Sequence, residues 1–255
     1  MIATAVVVGL CGLVAGSFLN VVIHRLPRGE SVAFPGSHCP ACGAPIRPYD
    51  NVPVLSWLFL RGRCRVCRAP ISARYPAVEL ANAVLWVAVF LRAPGWVDFA
   101  SGAFLCSACL ALLAIDAEFR ILPDRITLTG TAVGLALSFF SRVRSPASSF
   151  AGAAIGAGGL WLVAFLYEKW KKVEGMGLGD VKMLGMIGAL LGASGVVIAV
   201  LLASVAGSLV GFALMAARRG SLQTALPFGV FLALGAVAAF FWAPVLIELY
   251  RGGFR

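Results

Sequence analysis

Gly175-Met176-Gly177-Leu178-Gly179-Asp180-Val181-Lys182-Met183-Leu184-Gly185-Met186-Ile187-Gly188-Ala189-Leu190-Leu191 turns a glycine-rich corner into an apolar run that holds one acid and one lysine. Three glycines within five residues let the backbone turn sharply and let another segment approach closely. An acid at the mouth of an apolar helix is either an N-cap or a functional group, and both readings stand for Asp180. Such runs recur along the chain, which is 60% hydrophobic and only 13% charged, with mean hydropathy +0.93. A soluble domain is nearer one quarter charged, so the composition is that of an integral membrane protein.

The apolar blocks are long and do not alternate, so they read as spanning helices and the fold class is an all-α polytopic bundle. Eight spans are expected, at about 2–23, 77–92, 99–116, 125–141, 149–167, 180–193, 194–217 and 226–247. The join of the sixth and seventh falls near Gly192-Ala193-Ser194-Gly195. The first block lacks a basic flank before it and has Arg25 and Arg28 after it, which reads as a retained anchor with its start outside. Eight spans then leave only Arg92, Arg142, Arg144, Arg251 and Arg255 outside, out of 21 Lys and Arg. That is the positive-inside pattern, with both termini outside. The net charge of +10 is therefore a topology signal, and nucleic-acid binding has no separate support. The sequence leaves the oligomeric state open, and no internal repeat is evident in it.

Four parts are expected: a first helix (1–23), a cytoplasmic segment (24–76), seven membrane helices (77–247) and a short tail (248–255). The cytoplasmic segment carries Cys39-Pro40-Ala41-Cys42 and Cys64-Arg65-Val66-Cys67, with 21 residues between the pairs. Two such pairs can wrap one tetrahedral zinc ion as a ribbon-like site of four cysteines. A segment this small and rich in Pro, Gly and Arg buries little core, so the metal would supply much of its folding energy. Two disulfides are the rival, disfavoured on the reducing side of a membrane. Cys106 and Cys109 lie inside the third span and read as packing residues, as does Cys11.

The third span ends in Asp116-Ala117-Glu118-Phe119-Arg120-Ile121-Leu122-Pro123-Asp124. Asp116 is the deepest acid and sits near a helix C-terminus, against the local dipole, which suggests a purpose beyond packing. Asp124 follows Pro123 and suits the start of the next helix. Glu118 reads as solvent-facing beside Arg120. If the bundle brings Asp116 to Asp180, two carboxylates at a low-dielectric boundary share one proton. Such a pair can activate water and polarise a peptide carbonyl without a covalent intermediate. An ion transporter would place its acids nearer mid-span.

Gly175–Lys182 resembles the G-x-G-D signature of membrane aspartyl proteases, and the chain as a whole is similar to bacterial prepilin peptidases, or type IV leader peptidases. The likeness extends over Gly16-Ser17-Phe18-Leu19-Asn20, Arg25-Leu26-Pro27, both cysteine pairs, Asn51-Val52-Pro53 and Ser56-Trp57. It continues through Ile71-Ser72-Ala73-Arg74-Tyr75-Pro76 with Glu79, Asp116 with Leu122-Pro123-Asp124, and Pro227-Phe228-Gly229. The resemblance implies an inner-membrane enzyme that cleaves the basic leader of type IV prepilins and type II secretion pseudopilins on the cytoplasmic side. It also implies N-methylation of the new N-terminal residue from S-adenosylmethionine. By that resemblance the catalytic acids are Asp116 and Asp180, with Lys182, Gly177, Gly179 and Glu79 in support. The zinc held by Cys39, Cys42, Cys64 and Cys67 would be structural, and the S-adenosylmethionine site is not located. Glu30, Asp50, Glu79, Glu118, Glu168 and Glu174 are the acids able to attract a basic leader. Two alternatives remain: a peptidase without methyl transfer, and a zinc-ribbon scaffold of a pilus or secretion assembly whose acids only cap helices.

Overall fold

The computed structural model describes residues 1–172, 177–217 and 227–252. By contacts the chain forms two compact units, Met1–Ala93 and Pro94–Arg255. The division falls after the segment 77–92, which the sequence reading grouped with the helices that follow it. Its packing explains the difference.

Helix α1 (Ile2–Arg25) buries Val8, Gly12, Gly16, Asn20 and Ile23, an almost unbroken stripe at every fourth residue. Val6, Val7, Leu10, Val14 and Phe18 are exposed. Small and polar groups inside with apolar groups outside is the pattern of a helix solvated by lipid. A short helix α2 (Leu55–Phe59) follows the first cysteine pair, and α3 (Arg74–Arg92) then packs on the α1 stripe. At Gly16 a Cβ would stand 2.7 Å from the Cα of Glu79, so α3 approaches the bare backbone of α1. Asn82 Nδ2 donates to the Gly12 carbonyl at 2.8 Å, a bond that in lipid has no water to compete with it. Hydropathy finds both helices but cannot pair them.

The second unit holds α4 (Trp96–Phe119), α5 (Asp124–Ser138), α6 (Pro146–Lys171), α7 (Leu178–Ala216) and α8 (Phe228–Gly252). Its core gathers Leu105 and Leu112 of α4, Met183, Met186 and Ile187 of α7, and Leu232 of α8, all fully buried. The 39 residues of α7 form two helical arms that meet at Gly192, whose φ of 78° only glycine adopts at low cost. A Cβ on Gly156 of α6 would meet the Leu184 carbonyl at 2.5 Å and a Val196 methyl at 3.0 Å. Those two residues would lie about 18 Å apart on a straight helix, so α7 folds back on itself at Gly192. Arg144 closes this bend: its guanidinium donates to the Leu190 carbonyl, to Ser149 Oγ at 2.7 Å and to Ser101 Oγ at 3.1 Å.

Among the described residues each of the eight segments expected from sequence coincides with a helix or an arm of one, the fourth ending at Ser138 rather than at 141. Six helices among the described residues are long and apolar enough to cross a membrane. The difference has two sources. Helix α5 has 15 residues, roughly 22 Å against a hydrocarbon layer of about 30 Å, and the sixth and seventh segments are the two arms of α7.

Candidate active site

Asp116 lies in the last turn of α4 and is only 6% exposed. The C-terminal dipole of its own helix disfavours a carboxylate there, and another helix offsets this. Helix α8 begins at Phe228, just after Pro227, and the first amides of a helix have no intrahelical acceptors. Val230 N–H donates to Asp116 Oδ2 at 3.1 Å, and Gly229 N–H also reaches this carboxylate. Asp116 thus serves as an N-cap to α8 from another helix, with Gly229 and Val230 at the second and third helical positions.

Asp180 is the third residue of α7 and half-buried, and Gly177 is the N-cap. Here the dipole favours an acid, and the Asp180 N–H closes the first turn on the Gly177 carbonyl at 3.2 Å. Leu122, from the α4–α5 turn, joins the two sites. A Cβ on Gly179 would stand 3.0 Å from Leu122 Cβ, and one on Gly229 would stand 3.1 Å from Leu122 Cδ1. The structure therefore brings Asp116 and Asp180 together, near enough for the charge of Asp116 to act on Asp180.

Other residues singled out in the sequence fall around this pair or away from it. Lys182 Nζ meets the Asp124 carboxylate at 2.7 and 2.8 Å, tying the first turn of α7 to the first turn of α5. Asp124 is the first residue of α5 and makes no side-chain cap, because Pro123 holds the N-cap position. Glu118 is exposed, as are Glu30 and Glu168. Among the described residues a Cβ on Gly177 would meet only the Gly179 amide nitrogen, at 3.9 Å. Glu174, Gly175 and Met176 lie outside the described residues, as do Arg218 and Arg219. Cys106 and Cys109 are buried in α4. Glu79 belongs to the first unit, where it accepts from the Val54 N–H at 2.7 Å and from Ser17. Sequence reasoning missed Gly229 as a partner of Asp116. The signal was Pro227-Phe228-Gly229 opening a helix, where free amides face whatever acid is nearby.

The first unit gathers Cys39, Cys42, Cys64 and Cys67, whose sulfur atoms all lie within 4.8 Å of one another. Each pair forms a knuckle in which the first Cys N–H bonds the carbonyl five residues on, Ala44 at 2.9 Å and Ala69 at 2.8 Å. An isolated β-bridge flanks each knuckle, His38 with Pro45 and Arg63 with Pro70. Gly43 and Arg68 take the same left-handed conformation after each pair. The two knuckles are repeats: Cys-x-x-Cys-x-Ala-Pro-Ile occurs at 39–46 and again at 64–71. This corrects the expectation that the chain has no internal repeat, which an apolar-block reading overlooks because the repeat lies in a polar segment. The Cys67 and Val66 amides pull the Cys64 thiol down to about 6. At Cys67 the Ala69 amide acts the other way from the neighbouring thiols, which leave it at about 11. The sulfur atoms of Cys39 and Cys67 stand 3.8 Å apart, which matches the edge of a tetrahedron with metal–sulfur bonds of about 2.3 Å. This group could hold one metal ion.

Fold and site define a polytopic helical membrane protein with an aspartate pair at clustered helix ends, the architecture of a membrane aspartic peptidase. Residues 10–93 match the bacterial peptidase A24 N-terminal domain, and residues 103–212 match the type IV leader peptidase family. A prepilin leader peptidase/N-methyltransferase of Burkholderia pseudomallei (strain 1026b) is 39% identical over 94% of this chain and 86% of its own length. Proteins of the same description from Aeromonas hydrophila and Pseudomonas putida are each 38% identical over 96% of this chain, covering 93% and 91% of their lengths. No solved structure matches. The chain belongs to the type IV leader peptidase family.

Proposed function

We propose that this chain is a bifunctional inner-membrane enzyme that removes the basic leader of type IV prepilins and type II pseudopilins, and then N-methylates the new N-terminus. The observation that carries the first activity is the meeting of Asp116 and Asp180 across Leu122. With one carboxyl ionised and the other protonated, the ionised oxygen takes a proton from water as that water attacks the scissile carbonyl. The protonated partner hydrogen-bonds the carbonyl oxygen, and the tetrahedral intermediate then expels the leaving amine with a proton from the site. The amides of Gly229 and Val230 hold Asp116 in one orientation, so its carboxylate does not have to reorganise for the reaction.

A prepilin carries a basic leader followed by an apolar helix, so its scissile bond lies at the membrane surface. The Lys and Arg distribution supports a cytoplasmic active site with both termini outside. The four thiols favour zinc among divalent ions, in a structural role, since all four positions are protein ligands and none is left open. The methyl donor is S-adenosylmethionine.

Mass spectrometry of a synthetic prepilin incubated with purified protein and S-adenosylmethionine tests this reading. A leader-free product heavier by one methyl is expected. An uncut prepilin would refute the peptidase assignment, and a cut but unmethylated product would refute the second activity.

A further inference from the structure

A hollow of about 620 Å³ opens within the first unit, a size that accommodates cofactor-sized molecules. Its lining includes Ser17 and Asn20 of α1, Val54 and Trp57 at and within α2, and Tyr75 and Glu79 of α3. The peptidase chemistry above uses none of them.

Two acceptors in this lining are set up for a ligand. Asn20 is 2% exposed, and its Nδ2 donates to the carbonyls of Gly16 at 3.3 Å and Tyr75 at 3.1 Å. Both partners are acceptors, which fixes the amide orientation and leaves Oδ1 as the free end. Among the described residues that Oδ1 is buried without a hydrogen-bond partner. Buried polar atoms are normally paired, and an orphan lining a cavity points to a donor that arrives with a ligand. Glu79, 7% exposed, is the second acceptor. The groups that hold it, the Val54 amide and the Ser17 hydroxyl, are both neutral and carry no counter-charge. Trp57, whose Nε1 is tied to the Ile71 carbonyl at 3.1 Å, and Tyr75 add flat apolar surface. The same lining carries Arg25, Arg47, Arg65 and Arg74, so the complementary ligand joins a cationic N–H donor and an aromatic ring to an anionic group such as a carboxylate.

We propose that this hollow is the S-adenosylmethionine site, with Glu79 opposite the cationic end of the ligand and Asn20 Oδ1 accepting a hydrogen bond from it. The inference rests on the methyl-transfer reading, and it places the two activities in different units of the chain. The α-amino group of a cleaved pilin shares the cationic N–H chemistry, so the test separates the two sources.

The experiment uses the purified full-length protein in detergent, irradiated with tritium-labelled S-adenosylmethionine and then digested and mapped. In parallel, binding is read by equilibrium dialysis for wild type and Glu79→Gln, which keeps the shape and the acceptor for Val54. Label within residues 17–79, and affinity at least tenfold weaker in Glu79→Gln, are expected. The wild-type map does not depend on any variant folding. Label in 94–255, or unchanged affinity in the variant, overturns the site while leaving methyl transfer intact. So does label within 17–79 from a photoreactive Phe-initiated peptide but none from S-adenosylmethionine. Wild type that removes leaders yet neither binds S-adenosylmethionine nor methylates overturns the methyl-transfer reading itself, and the site with it.

Discussion

Gly229 presses bare backbone against Asp116: a Cβ at Gly229 would stand 2.8 Å from Oδ2 of that aspartate. The close approach lets α8 deliver its first amides to the carboxylate. Gly229→Ala therefore displaces Asp116 by a fraction of an ångström without removing any catalytic group. Misplacement on that scale costs about a hundredfold. The expected result is a fall of that order in kcat for leader removal with KM little changed, measured on purified variant and wild type. Unchanged kcat would separate α8 from the site.

Lys182 stands two residues from Asp180 but bonds Asp124. The pair is open to solvent, with side-chain exposures of 34% and 54%, so its strength is that of a surface ion pair. Such pairs contribute about 0–1 kcal/mol. Lys182→Ala is expected to slow leader removal by no more than about fivefold, with Lys182→Arg restoring most of it. A loss as deep as that of an aspartate variant would give Lys182 a direct part in the chemistry.

Metal analysis of the purified protein should find one zinc ion per chain. Cys64→Ser should lose it, because the remaining three thiols leave the tetrahedron open. Because the ion contributes folding energy to a segment with little core, the variant should also expose sites between residues 26 and 73 to limited proteolysis. A Cys64→Ser protein that retains a full equivalent of zinc would remove the metal centre from the account.

The bend at Gly192 depends on α6 meeting both arms of α7 at Gly156. Backbone and a β-branched side chain already fill the place of a side chain there. Gly156→Val should destabilise the fold by about 1–3 kcal/mol, as overpacking does in well-filled cores. The readout is the unfolding midpoint in mixed micelles, with an exposed glycine such as Gly158 changed to Val as the comparison.

Residue type and spacing made much of this legible. Apolar blocks gave the helices, including the break near Gly192, because hydropathy and glycine are local signals. The cysteine spacing gave the thiol cluster for the same reason. Contacts between distant residues were harder to read. The bond from Val230 to Asp116 spans 114 residues, and the one from Lys182 to Asp124 spans 58. Nothing local to either end announces its partner. The pairing of α1 with α3 through Gly12 and Gly16 is likewise a matter of register, invisible to hydropathy. The orphaned Oδ1 of Asn20 became visible only when the carbonyls of Gly16 and Tyr75 were seen to claim its other end.

The most direct test of the aspartate pair is the single-turnover rate of leader removal by wild type, Asp116→Asn and Asp180→Asn, with each protein first shown to unfold at the wild-type temperature. Both substitutions keep the shape of the side chain and remove its ability to exchange a proton. The account predicts that each lowers the rate by about a thousandfold or more, within the scale of general acid–base catalysis. Wild-type cleavage by either variant would contradict it, leaving that aspartate only the structural work of capping a helix.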